Sequence, residues 1–191
     1  MGMTQLAICV SGPTAAGKSE LSRTISEQLS ASTVSFGAYV RHIADRDRRS
    51  ATVPALQDLG ASLLRELGYP ELLRRTTEYA HAQGTIVVID GIRDTTMLDE
   101  VRRAFRDTYH VFLDTPDEVR FERWSARGDN DQPGDKEAFA AIGRHQLEVS
   151  VASLRALADV VLDGRLPLAA LAGRITHGLT ARGWALPNSS A

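Results

Sequence analysis

The stretch GPTAAGKS, from Gly12 to Ser19, constrains this chain more than any other feature. It matches the pattern G-x-x-x-x-G-K-[ST], follows the apolar run LAICV, and precedes a helical pattern through Leu21, Ile25 and Leu29. The two glycines allow a turn tight enough for successive N–H groups to point inward, and a helix N-terminus adds partial positive charge at the same place. The stretch therefore predicts a polyphosphate-binding loop between a strand and a helix.

Each position of this phosphate loop has an expected role. Lys18 is expected to neutralise the β- and γ-phosphates, and the Ser19 hydroxyl to complete the coordination of Mg²⁺. The alternative, a glycine-bearing turn without a ligand, is disfavoured by the complete match and by the flanking strand and helix. The predicted ATP-binding residues are Gly12, Pro13, Thr14, Ala15, Ala16, Gly17, Lys18 and Ser19.

Length and charge limit the class of protein. The 191 residues suffice for one well-buried domain and are few for two. The net charge of −2 gives no overall electrostatic reason to expect a nucleic-acid polymer or an anionic membrane as partner. The single cysteine, Cys9, excludes an internal disulfide framework, and no apolar run is long enough for a signal peptide or a membrane span. We therefore expect a cytoplasmic protein.

Short apolar runs alternate with amphipathic segments along the chain. The runs are LAICV, STVSF, TIVVID, YHVFLD and ADVVLD. Right-handed crossovers between such strands cover both faces of a parallel sheet with helices. We predict an α/β fold of three layers with a five-stranded parallel sheet, and the ligand at the carboxyl ends of its strands.

Two longer segments interrupt this alternation. Residues 38–84 are predicted to be a helical insertion, in which Pro54 and Pro70 suit first-turn positions and Gly68 suits the stop between two helices. Residues 127–137, RGDNDQPGDKE, are polar and rich in turn formers, which predicts a mobile loop.

Arginines follow three of the predicted strands, and phosphoryl transfer needs cations around the spreading charge. Arg41 follows the second strand, Arg93 follows the third, and the fourth is followed by Arg120, Arg123 and Arg127. The last three are spaced three and four apart, so one helix face can present all of them. A solvated helix face has the same pattern, and both interpretations are open.

Other side chains at the strand ends also have two interpretations. Asp90 ends an apolar strand, where it is placed either to hold Mg²⁺ through water or to form a cap or turn ahead of Gly91. Phe36 ends the second predicted strand and Tyr39 follows it, and both suit stacking on a base, although Phe36 equally suits the core. Trp124 suits either stacking on adenine or a core or hinge role. The histidines lack metal spacing and are interpreted as surface or packed residues: His42, His81, His110, His145 and His177.

These stretches together resemble the nucleoside monophosphate kinase family of P-loop kinases. SFGAYVR is similar to the family's S-T-G-D-x-h-R stretch, where h is hydrophobic, and VVIDGIR is similar to its h-h-D-G-F-P-R stretch. FLDTPDEVRFERWSARG resembles its strand, D-x-P-x-E turn and arginine-bearing helix, and ADVVLDGRLPLAALAGRI resembles its last strand and helix. Phage deoxynucleoside monophosphate kinases, an archaeal adenylate-kinase-like group and dephospho-CoA kinase are also similar.

The resemblance implies roles for particular residues. Arg41 and Arg93 would grip the phosphate of the acceptor, Arg123 and Arg127 would close on the donor phosphates, and Arg144 would contribute from beyond the lid. The insertion 38–84 would bind the acceptor, and residues 127–137 would form the lid. The predicted acceptor-binding residues are Phe36, Gly37, Tyr39, Arg41, Gly91 and Arg93. The predicted catalytic residues are Lys18, Asp90, Arg123 and Arg127.

Some positions depart from the family pattern. Ala38 stands where the family has an aspartate that orders the water molecules around the metal, so Asp90 would contribute more to ordering them. Ile92 alone separates Gly91 from Arg93, where the family has an additional proline. The lid has no cysteine cluster, so no structural zinc is expected. The insertion matches only loosely, which leaves the acceptor open.

These observations predict an ATP-dependent phosphotransferase acting on a nucleoside monophosphate or similar nucleotide, with Mg²⁺ as cofactor. An anionic phosphate acceptor requires no general base. One alternative is a kinase of an alcohol acceptor, such as dephospho-CoA or a small metabolite, with Asp90 as base. The other is a nucleotide-dependent regulatory ATPase without an acceptor. The choice between ATP and GTP and the oligomeric state also stay open.

Overall fold

A computed structural model describes residues 6–126 and 135–187. The described strands form one sheet in the order β2-β3-β1-β4-β5, and every neighbouring pair is parallel. The predicted α/β fold with a five-stranded parallel sheet is confirmed. The strands are β1 (Leu6–Ser11), β2 (Ser32–Ser35), β3 (Ile86–Ile92), β4 (Asp107–Asp114) and β5 (Val160–Asp163).

Helices connect these strands and cover the sheet. Within the described part of the chain, none combines the length and apolarity needed to cross a membrane. They are α1 (Lys18–Leu29), α2 (Phe36–Arg46), α3 (Val53–Tyr79), α4 (Thr95–Ala104), α5 (Asp117–Ser125), α6 (Lys136–Arg144), α7 (Gln146–Leu154), a 3₁₀ turn (Arg155–Leu157) and α8 (Leu168–Ala181).

The central strand β1 divides its side chains between two hydrophobic cores. Leu6, Ile8 and Val10 pack under α1 and α8, whereas Ala7 and Cys9 pack on the opposite face with α2, α3 and α4. All five are fully buried, as expected for a strand with helices on both faces. Burial disfavours the thiolate and raises the pKa of Cys9 to about 12.

The carboxyl end of β1 is fixed against its neighbours immediately before the phosphate loop. The Ser11 hydroxyl lies 2.7 Å from Nε2 of His110, which is fully buried in β4. Nδ1 of the same ring lies 3.1 Å from the carbonyl oxygen of Leu157, which can only accept. The ring is therefore protonated on Nδ1 and accepts the Ser11 proton on Nε2. Burial lowers the pKa of His110, which keeps the ring neutral.

Helical residues fill most of the segment between β2 and β3. The run STVSF ends as a strand at Ser35, because the Ser35 side chain accepts the N–H of Ala38 and starts α2 at Phe36. Within α3, Gly68 has φ 73° and ψ 169°, which interrupts the helix two residues before Pro70. The break between the two helical stretches therefore lies at the predicted glycine.

The predicted loop at 127–137 extends largely outside the described residues, which resume at Asp135. The Asp135 carboxylate accepts the N–H groups of Glu137 and Ala138. This cap starts α6 at Lys136, so the last two residues of the predicted loop are helical.

Candidate nucleotide and acceptor site

Two glycines of the phosphate loop adopt backbone conformations that side chains disfavour. Gly12 has φ 141°, and a Cβ there would lie 2.5 Å from the carbonyl oxygen of Leu113 in β4. Gly17 has φ 100° and forms the N-cap of α1. The conformation of the loop, and its close approach to β4, therefore depend on glycine at both ends.

Arginines from α5 hold the outer side of this loop. Arg120 donates to the carbonyl oxygen of Thr14 at 3.0 Å, and Arg123 donates to the carbonyl oxygen of Ala16 at 2.7 Å. In a trans peptide the C=O and the next N–H point in opposite directions. The two arginines therefore turn the N–H groups of the next residues toward the interior of the loop, where phosphate is expected.

The arginine row differs in part from its prediction. Arg120 and Arg123 share one helix face as expected, but both contact loop backbone, and the second amine of Arg123 donates to the carbonyl oxygen of Gly164 at 2.8 Å. Arg123 is thus engaged with two carbonyls in this structure, rather than directed at donor phosphates. Arg127 lies outside the described residues, and Arg144 is exposed at the end of α6.

Lys18 and Ser19 begin α1 beside the end of β3. Lys18 is buried, and its Nζ donates to the carbonyl oxygen of Pro13 at 2.7 Å. The Ser19 hydroxyl donates to Oδ2 of Asp90 at 2.9 Å. Residues distant in sequence thus meet at the carboxyl edge of the sheet, as the topology predicts.

Ser19 and Asp90 fit the Mg²⁺ that the fold implies. Asp90 is only 5% exposed, and its Oδ1 is buried without a hydrogen-bond partner among the described residues. Burying a carboxylate oxygen without a hydrogen-bond partner costs free energy, and a bound cation would remove that cost. Mg²⁺ prefers oxygen ligands such as carboxylates and hydroxyls. The described residues contain no group of three or more histidine, cysteine or acidic side chains placed for a metal, so phosphate and water oxygens would complete the shell. Asp94 caps α4, so the cap interpretation of Asp90 is wrong.

A cavity of about 200 Å³ adjoins Lys18 and Ser19. Its polar part combines the predicted acceptor arginines, Arg41 and Arg93, with Asp90. Its apolar part comes from α2, α3 and α4 and includes Phe36, Val40, Val53, Leu56, Leu64 and Met97. Gly37 and Gly91 also line it. The cavity beside the phosphate loop is therefore lined by cationic, acidic and apolar side chains.

Two aromatic residues have core positions. Tyr39 is 7% exposed, packs in the core with α3, and has its ring centroid 5.7 Å from that of Tyr79. It does not line the cavity, which corrects the prediction that it borders the acceptor. Trp124 is 2% exposed and packs against Phe121 and Phe139, in agreement with the core interpretation.

A buried glutamate in α7 is part of this site and was missed by sequence reasoning. Glu148 accepts the backbone N–H of Thr14 at 2.8 Å and its hydroxyl at 2.7 Å, and forms an ion pair with Arg93. Burial acts to raise the pKa of Glu148, but Arg93 and the bonds from Thr14 outweigh it and lower the pKa. The carboxylate is therefore ionised at neutral pH. A single glutamate in a helical pattern carries no spacing signal that could have identified it.

Gln57 in α3 was also missed. It lines the cavity, and its Nε2 is buried without a hydrogen-bond partner among the described residues. An N–H donor that has no partner in a cavity wall is placed to donate a hydrogen bond to an oxygen or nitrogen atom of a ligand. Since Gln57 lies in an ordinary amphipathic helix, only the packing of α3 against the cavity reveals it.

Comparison with known proteins shows the family of this chain. A family model described as an AAA domain, AAA_18, matches residues 8–141. A UPF0200 protein from Thermococcus sibiricus is 30% identical over an alignment of 171 positions, which covers 81% of this chain and 84% of that protein. The chain belongs to this AAA domain family and to the UPF0200 proteins. The matched segment begins in β1 and includes the phosphate loop, both arginines of the cavity and Asp90.

Solved structures of kinases share the fold of this chain. A shikimate kinase from Bacteroides thetaiotaomicron aligns with a TM-score of 0.61 and 17% identity, over 92% of this chain and 98% of that one. A sugar kinase from Janibacter sp. aligns with a TM-score of 0.57 and 21% identity, over 93% and 95%. The likeness to P-loop kinases predicted from the sequence is confirmed.

Proposed function

We propose that this protein transfers the γ-phosphoryl group of ATP to a nucleoside monophosphate or a similar nucleotide. The observation that carries the proposal is the cavity beside Lys18 and Ser19, whose lining combines Arg41 and Arg93 with apolar side chains from α3. Guanidinium groups bind phosphate through directed, charge-assisted hydrogen bonds, and an apolar wall suits the face of a base. A nucleoside monophosphate contains both parts.

In this proposal the protein acts by positioning its substrates and stabilising charge. The phosphate loop binds the donor phosphates with its N–H groups, and Lys18 neutralises charge on the γ-phosphoryl group during transfer. Arg41 and Arg93 hold the acceptor phosphate so that one of its oxygens attacks in line. Mg²⁺, bound by Ser19 and Asp90, would supply further neutralisation of the phosphate oxygens.

The carboxylates of the cavity favour a phosphate acceptor over an alcohol. An alcohol requires a base to accept its proton, whereas a phosphate oxygen is already anionic. Among the cavity-lining residues, Asp90 is bonded to Ser19, and Asp94 caps α4 by accepting the N–H of Met97. Asp94 is thus engaged as a helix cap, and the unpaired Oδ1 of Asp90 is the oxygen that this proposal assigns to Mg²⁺, so neither carboxylate is left to act as a base.

A phosphate-transfer screen tests the proposal. Purified protein with Mg·ATP or Mg·GTP is incubated with ribo- and deoxynucleoside monophosphates, dephospho-CoA, shikimate, simple sugars or no acceptor, and ADP or GDP and product mass are measured. Fast formation of one nucleoside diphosphate supports the proposal. Transfer only to an alcohol contradicts it, and slow hydrolysis that no acceptor accelerates favours a nucleotide-dependent switch.

A lysine variant tests the role of the phosphate loop. We expect Lys18→Ala to lower turnover on the order of 10³-fold, which corresponds to about 4 kcal/mol of transition-state stabilisation. Arg23→Ala is the control, because Arg23 is a cation of the same helix α1 and its side chain is 68% exposed. Near-normal turnover in Lys18→Ala would contradict a catalytic phosphate loop.

A further inference from the structure

We propose that Glu148 is a positioning residue that holds the acceptor arginine Arg93 and the phosphate loop at a fixed separation. The inference rests on the proposed function, because it concerns how the two substrates are aligned. Through a single carboxylate, α7 contacts both halves of the site, since Arg93 belongs to the acceptor side and Thr14 to the donor side.

The carboxylate is placed behind the cavity. The Glu148 side chain is 3% exposed, whereas that of Arg93 is 30% exposed and lines the cavity together with Thr14. Glu148 binds both of these residues without lining the cavity itself. It is therefore placed to orient groups that touch substrates rather than to touch them.

Anchoring matters most for Arg93. A long arginine side chain loses conformational entropy when a ligand orders it. An ion pair that already orders the side chain in the free protein removes this entropy loss from the free energy of binding. Arg93 also lies two residues after Gly91, whose φ of 93° is a conformation that few other residues adopt and at which the register between β1 and β3 shifts. The irregular strand end and the ion pair together set where the guanidinium points.

The contact with Thr14 extends the same restraint to the donor side. The peptide between Pro13 and Thr14 donates its N–H to Glu148, and its C=O accepts from Nζ of Lys18. One peptide therefore connects the buried glutamate with the catalytic lysine. Because a displacement of about 1 Å between reacting groups costs on the order of 10²-fold in rate, a restraint that spans both sites bears directly on transfer.

Steady-state kinetics with the monophosphate accepted in the screen test this inference. Removing one partner of a buried, hydrogen-bonded ion pair leaves the other unanchored, so we expect Glu148→Ala to lower kcat/KM for the acceptor about 30-fold or more, with a raised acceptor KM. The dissociation constant of ATP should change less than about threefold, because the N–H groups of the loop interior are retained. Glu148→Gln, which keeps the shape and one acceptor oxygen, should lie between Glu148→Ala and wild type.

Matched controls separate positioning from stability. Glu27→Ala removes a glutamate that is 65% exposed and paired with Arg23, and it should leave the kinetics unchanged. Melting temperatures are measured for all variants, and Glu148→Gln provides the kinetic comparison if the alanine variant does not fold. Wild-type acceptor kinetics in both folded Glu148 variants would overturn the inference.

A double-mutant cycle gives the decisive comparison. If Glu148 acts through Arg93, then Arg93→Ala raises the acceptor KM and adding Glu148→Ala raises it no further. If the two effects on acceptor KM multiply, Glu148 does not act through Arg93 and the inference is wrong.

A separate binding measurement tests the inference if the proposed function proves wrong. If the wild type transfers phosphate to no monophosphate, the proposed function fails, and binding of inorganic phosphate by titration calorimetry then tests the inference alone. Phosphate binding that needs Arg93 and is weakened in Glu148→Gln supports it, whereas equal binding by wild type and Glu148→Gln overturns it.

Discussion

Arg123→Ala tests whether this arginine supports the phosphate loop or binds the donor phosphates, as the family resemblance implies. In the structure its guanidinium joins two backbone carbonyls, on Ala16 and on Gly164, at 2.7 and 2.8 Å. These contacts connect the loop after β1 to the loop after β5. The variant should therefore lose stability as well as activity.

The two contacts set the size of the effect. A hydrogen bond to a charged group contributes about 1.5–3 kcal/mol, and the Gly164 carbonyl loses that bond. Ala16 keeps a second donor, because the Thr115 hydroxyl lies 3.0 Å from its carbonyl oxygen. We therefore expect a total loss of about 2–3 kcal/mol, which in a domain of this size corresponds to a fall in Tm of about 4–12 °C.

Thermal unfolding and ATP turnover are measured on the same samples. Arg123→Lys keeps the charge but has a single terminal nitrogen, so it cannot reproduce the forked contact and should resemble Arg123→Ala in stability. Arg103→Ala is the matched control, because Arg103 is 67% exposed and paired with Glu100, and its removal should change stability by less than about 0.5 kcal/mol. An unchanged Tm in Arg123→Ala, together with turnover lost about 100-fold and restored in Arg123→Lys, would refute the loop-supporting role.

Three further predictions concern the loop, the cavity and the buried histidine. Gly12→Ala should abolish ATP binding measured by calorimetry, because its Cβ would lie 2.5 Å from a backbone carbonyl oxygen of β4. Gly84→Ala is the control and should keep ATP binding, because Gly84 has a similarly positive φ of 99° but no heavy atom within 4 Å of the added Cβ. Gln57→Leu should change the ratio of kcat/KM values among the accepted monophosphates about tenfold while the KM for ATP stays constant, because the free Nε2 donor of the cavity wall is lost. Unchanged ratios would contradict a role of Gln57 in binding the accepted monophosphate. Because the pKa of His110 is lowered in the folded state, its neutral form contributes stability above the unfolded-state pKa of about 6.5, and this stability is lost as the pH falls through the folded-state pKa. Urea unfolding between pH 7.5 and pH 5 should therefore show falling stability, with a shallower slope in His110→Gln, and equal slopes would contradict the assignment.

Features encoded by neighbouring residues were predictable from the sequence. The phosphate loop needs a particular order of residues within eight positions, and the apolar runs needed only local spacing to predict five strands. Parallel topology then placed Asp90 at the same edge as Ser19, where the two side chains do meet. The break at Gly68 likewise follows from local backbone preference.

Contacts between distant residues were decided by the tertiary structure alone. Glu148 and Thr14 are 134 positions apart, and nothing in the sequence around either residue specifies the other. The arginine spacing of α5 placed Arg120 and Arg123 on one face, but only packing against the loop directed them to its carbonyls. Tyr39 was assigned to the acceptor by its position in sequence, whereas α3 covers it in the core.

The amino-acid sequence by itself determined a phosphate loop, the parallel sheet that carries it and the strand ends where its partners lie. These depend on local backbone preference and on side-chain periodicity, both of which act over a few residues. The tertiary structure decided which arginine faces the cavity, which supports the loop and which buried carboxylate connects them. Such assignments depend on directions and distances of a few ångströms, and only the packed helices define those.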